Sequence, residues 1–134
     1  MPARALTLCA ALAAPGLVSC SSGGAQPSDF CKSVAALDSA VSTINETPIT
    51  RSTVSAVQAS VDQIDVAVRN LSATAESEFA SEVDAVKAGA AELDASVATA
   101  VERPAPQTFD AARDSMRAFT TSVNDLAKST SSSC

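Results

Sequence analysis

The chain has 134 residues, a net charge of −6, no His, Trp or Tyr, and four Phe. That length allows one domain, and the missing His removes the commonest general base and metal ligand. The nine Lys and Arg are scattered, so the chain lacks the basic patch that nucleic-acid binding requires.

Arg4 lies just ahead of a charge-free run from Ala5 to Val18. The run is shorter than the roughly 20 apolar residues needed to cross a bilayer. It fits the apolar core of a secretory signal peptide. A buried helix of the mature fold is the competing reading, and Pro15-Gly16 argues against it because both residues break helices. At Cys20 the sequence turns abruptly into Ser21-Ser22-Gly23-Gly24-Ala25-Gln26-Pro27-Ser28, a flexible tract with a root-mean-square span of only ~15 Å.

Leu17-Val18-Ser19-Cys20 resembles the bacterial lipobox, in which an aliphatic residue, a small or aliphatic residue and a small residue precede a cysteine. The resemblance implies a diacylglycerol on the Cys20 sulfur and cleavage just before Cys20. Residues 1–19 are then the signal peptide, residues 20–28 the lipidated cysteine and tether, and residues 29–134 the exported domain. Cys9 is a poor rival, since Leu8 is too large for the small position and the apolar run before it is short. Each buried methylene contributes about 0.8 kcal/mol, and one acyl chain holds only marginally, so a diacyl group makes a stable anchor. The acidic domain gains nothing from anionic headgroups, which leaves anchoring to the acyl chains.

From residue 28 onward the apolar residues recur at three-four spacing, the mark of amphipathic helices. The first stripe is Phe30, Val34, Leu37, Val41 and Ile44, and predicts a helix over 29–45. Ser28 is its expected cap, with Asp29 in the first turn. Pro48 forbids simple continuation. The second stripe is Val54, Val57, Val61, Ile64, Val68 and Leu71, and predicts a helix over 51–71 capped by Thr50, with Ile49 and Val54 as a hydrophobic staple.

The third stripe is Phe79, Val83, Val86, Ala90, Leu93 and Val97, for a helix over 78–101. No Gly or Pro separates it from the second. Extending the second stripe by sevens puts Ala75 and Glu82 in the core, whereas the third uses Val83, a rotation of about 100°. A turn within 72–77 resolves the mismatch, and a single long helix with a local irregularity is the competing reading. Glu76, Glu78 and Glu82 then lie near a helix start, where negative charge is favoured. Pro104 and Pro106 precede a fourth stripe of Phe109, Ala112, Met116, Phe119, Val123 and Leu126, for a helix over 107–128. The Ser-rich tail after Lys128 reads as loosely ordered.

These stripes predict an all-α, up-down-up-down antiparallel four-helix bundle behind a signal peptide and tether. In that topology the start of the first helix and the end of the fourth share one end of the bundle, which brings Cys31 near Cys134. An exported compartment permits a disulfide between them. The other reading is a buried Cys31 and a free thiol at Cys134.

No catalytic constellation emerges. Ser and Thr are plentiful, but no His activates them and no Gly-x-Ser-x-Gly elbow is present. Gly23-Gly24 lies in the tether and forms no phosphate loop. Neither Glu-x-x-His pairs nor a calcium loop occurs, so no metal or cofactor is expected. Glu78 and Glu82, and likewise Asp62 and Asp65, read as solvated helix surface. Asn45-Glu46-Thr47 and Asn70-Leu71-Ser72 match the glycosylation pattern, although Leu71 is a core candidate.

The lipobox, the Asp29-Phe30-Cys31-Lys32 start and Cys134 together resemble the small Ala-rich helical lipoproteins of high-GC Gram-positive bacteria. Ala-rich fungal wall proteins that bind hydrophobic surfaces are a rival family, but they have no need of a cysteine after Leu-Val-Ser. The resemblance implies a lipid-anchored, non-catalytic component of the outer membrane face. It would meet the membrane through its lipid and an envelope protein through its surface, and would bind no nucleic acid. The other expectation is a carrier of a small lipophilic ligand, which would need an apolar cavity of several hundred Å³.

Overall fold

The computed structural model describes residues 28–134. They form α1 (Asp29–Asn45), α2 (Val54–Thr74), a short 3-10 turn (Ser77–Phe79), α3 (Ala80–Glu102) and α4 (Pro106–Thr130). Among the described residues there is no strand. The chain is all-α, as its periodicity predicts. Helices adjacent in sequence pack together, α4 closes the ring on α1, and the backbones of the diagonal pairs stay apart. Short joins between neighbours make this an up-and-down four-helix bundle.

Each helix buries the stripe its sequence announces. Phe30, Val34, Leu37, Val41 and Ile44 of α1 are buried, as are all six residues of the second stripe and all six of the third. Of the fourth stripe, Ala112, Met116, Phe119, Val123 and Leu126 are buried, while Phe109 packs against the core only partly covered. Fully burying a Val, Leu, Ile or Phe side chain contributes about 1.5–3 kcal/mol, so these stripes are the main source of stability. Ile49, Ala100 and Thr130 join the interior as well.

The helix ends follow local chemistry. Ser28 caps α1, its Oγ accepting from the Cys31 N–H at 3.2 Å. Regular α2 begins at Val54, three residues later than the sequence suggests, because residues 51–53 form a turn first. The residue at the N-cap is therefore Thr53 and not Thr50, which instead organises the turn. The Thr50 carbonyl accepts from the Thr53 and Val54 N–H groups at 3.2 and 2.9 Å, and its own N–H donates to Thr53 Oγ1 at 2.9 Å. At the start of α4, Pro106 takes the first helical position, where its missing N–H costs nothing. Thr108 Oγ1 accepts from the Ala105 N–H at 3.1 Å.

The phase slip between the second and third stripes is a real break. The backbone is extended at Ala75 and Glu76, then tightens into the 3-10 turn that leads into α3. A single long helix is thereby excluded. The tail differs from the sequence expectation. Helix α4 runs on to Thr130, which is buried, and its hydroxyl donates to the Leu126 carbonyl at 3.0 Å. The Cys134 N–H then donates to the Thr130 carbonyl at 2.8 Å, so the final residues are a hydrogen-bonded turn.

Candidate functional site

Leu17, Val18, Ser19 and Cys20, together with the rest of the signal peptide and most of the tether, lie outside the described residues. The described part begins where the tether ends, at Ser28, three residues before Cys31. Among the described residues no helix is long and apolar enough to cross a membrane.

Cys31 and Cys134 form a disulfide that spans 103 positions, with their α-carbons 5.6 Å apart. Cys31 sits in the first turn of α1 and is nearly covered, at 9% exposure. Cys134 follows α4 on the turn anchored by Thr130. The antiparallel course of α1 and α4 therefore brings both cysteines to the end of the bundle where the tether arrives. Phe30, beside Cys31, stacks on Phe79 of the 3-10 turn with ring centroids 5.3 Å apart, which packs that same end.

Three carboxylates converge midway along the α2–α3 seam. Asp62, Asp65 and Asp94 each place an oxygen within 4.8 Å of the others. The Gln58 side-chain amide donates to Asp62 and Asp94, both at 3.3 Å. The Asp65 carboxyl is held above its ordinary value of 3.8, first by burial and then by repulsion from Asp94, with Asp62 adding to this and Arg69 opposing it. Asp62 and Asp65 are legible as neighbours in the sequence, three apart on one helical face. Asp94 is not, because only the register of α2 against α3 delivers it. Calcium takes about six to eight oxygens, and three partly solvated carboxylates fall well short of that shell. Glu78 and Glu82 belong to separate elements, the 3-10 turn and the first turn of α3, and read as a charged helix entry.

The surface between helices is shallow and open. One groove, between α3 and α4, measures about 530 Å³ and is floored by Ala95 and Ala111 and edged by Ser96, Thr99, Thr108 and Ser115. A smaller one of about 220 Å³ follows Thr47–Ile49, with Arg113 and Met116 opposite. Both open to solvent, and the bundle interior beside them is filled by the four stripes. The core's small residues let the helices close up: a β-carbon on Gly89 of α3 would meet the Phe119 ring of α4 at 3.3 Å.

Three of the arginines are engaged locally. Arg113 pairs with Asp110 at 2.5 Å and donates to the Ile49 carbonyl at 2.7 Å. Arg117 pairs with Asp114 at 3.0 Å, and Arg51 reaches the Pro104 carbonyl at 3.4 Å. Arg51 thus ties the α1–α2 connection to the α3–α4 connection, and Arg113 ties it to α4, at the end away from the tether. Exposed ion pairs of this kind are worth about 0–1 kcal/mol each. No family model matches this chain, and neither a curated protein nor a solved structure is similar to it.

Proposed function

We propose that the protein is a lipid-anchored lipoprotein of the outer membrane face, with a non-catalytic role as an envelope component or in protein contacts. The observation that carries this reading is the Leu17-Val18-Ser19-Cys20 tract between an apolar run and a Ser/Gly tether. The fold is consistent with that use. The tether enters at Ser28, so a bundle anchored through Cys20 would stand with the Cys31–Cys134 end toward the lipid. The opposite end, with the connections at 46–53 and 103–105, would face outward. An internal scaffold of Val, Ala and Leu, dressed in short polar side chains, suits a stable body that presents its surface.

Metabolic labelling with an alkyne fatty acid tests the anchor. The parent chain should take up label and partition with membranes, and Cys20→Ala should lose both properties. A Cys20→Ala variant that still carries label would reject the site. Surface crosslinking of the anchored protein, followed by identification of its neighbours, then tests the interaction role.

A further inference from the structure

The disulfide lies at one end of a particular seam, and that seam is the thinnest in the bundle. Helix α1 shares less contact with α4 than any other two neighbouring helices share. With 17 residues, α1 is also the shortest of the four helices, against 25 for α4. Along the seam, Cys31–Cys134 closes the tether end. The other end is held by the Asn45 side chain and Thr120 Oγ1, which exchange hydrogen bonds at 3.3 and 3.4 Å while largely exposed. Such a bond nets only about 0.5–1.5 kcal/mol. An isolated helix of this length is marginal in water, since most helical stability comes from packing. Once α1 lifts from α4, its packing on α2 is what remains to hold it.

The geometry points to the Cys31–Cys134 bond as a redox latch on α1. An external dithiol attacks the disulfide on its exposed Cys134 side. The S–S bond breaks, the two protons of the dithiol pass to Cys31 and Cys134 as thiols, and the reductant leaves as its own disulfide. Helix α1 then undocks and frays while α3 and α4 stay packed. Phe30 leaves Phe79, and Val34, Leu37, Val41 and Ile44 give up their buried positions, so apolar surface appears at the tether end. Local opening of this kind costs less than global unfolding. The latch does not depend on a lipid at Cys20.

Hydrogen exchange of the full chain, read by mass spectrometry with and without dithiothreitol, tests it. Reduction should accelerate amides in residues 32–45 at least tenfold more than amides in residues 83–100 and 110–126. Cys134→Ser should reproduce that pattern without reductant. Equal acceleration in all four helices would overturn the latch, since the bond would then add only global stability. So would unchanged exchange in α1. Circular dichroism gives an independent readout: a reduced chain that loses all its helical signal would also overturn the proposal, because α3 and α4 must stay folded.

Discussion

Gly89 of α3 faces Phe119 of α4 where a side chain would crowd it. A β-carbon at position 89 would stand 3.3 Å from the Phe119 ring and 3.4 Å from its α-carbon. Gly89 is the sole glycine in residues 28–134. A helix-interior glycine costs roughly 1 kcal/mol of helix propensity relative to alanine, so its presence calls for a packing reason. Phe119, fully buried, is that reason. A side chain at position 89 would press on that ring and on the α4 backbone behind it.

Gly89→Leu therefore overfills the α3–α4 seam and should destabilise the bundle by about 1–3 kcal/mol. Urea unfolding followed by circular dichroism reads this as a lower midpoint. A leucine variant as stable as the parent would mean that the helices do not approach this closely.

The helices were legible because one signal, the three-four spacing of apolar residues, recurs through α1 to α4 with little interruption. The break between α2 and α3 was legible despite having no Gly or Pro, since Val83 falls one residue out of step with Val61 and Val68. What the pattern could not show were features set by a single hydrogen bond or by helix register. The turn at 51–53 depends on the Thr50–Thr53 exchange. The ordered tail depends on Thr130, a polar residue whose hydroxyl is satisfied within its own helix and which can therefore be buried. The approach of Asp94 to Asp62 and Asp65 depends on how α2 slides along α3. The anchor stands apart from all of these, because the lipobox is read by an enzyme as sequence, and packing periodicity says nothing about it.

Ile49 shows how a connection can become part of the core. It lies between Pro48 and Thr50, outside every helix, yet is only 3% exposed. Helix α1 is too short to cover the first half of α4, and Ile49 fills that gap while its carbonyl accepts from Arg113. Ile49→Ala should cost about 2–5 kcal/mol, as for a buried isoleucine in a helix. Val66→Ala, at a residue 51% exposed, is the control and should shift stability by less than about 0.5 kcal/mol. Equal midpoints for the two variants would show that the 46–53 connection merely covers the surface.

The carboxylate cluster makes a prediction of its own about pH. Asp65 has a folded-state pKa above its ordinary value of 3.8, through burial first and then through Asp94, with Asp62 adding to the effect and Arg69 opposing it. The native state therefore binds this proton more tightly than the unfolded chain does. Ionised Asp65 is a cost to folding at neutral pH, and the cost is relieved as pH falls through the folded pKa toward 3.8. Nothing is lost in compensation at the Gln58 amide, which donates to Asp62 and Asp94. Asp65→Asn should thus raise the thermal midpoint at neutral pH. Its advantage over the parent should shrink on acidification and vanish below pH 3.8. An asparagine variant less stable than the parent at neutral pH would reverse the sign and show that the three carboxylates attract a counter-charge more strongly than they repel one another.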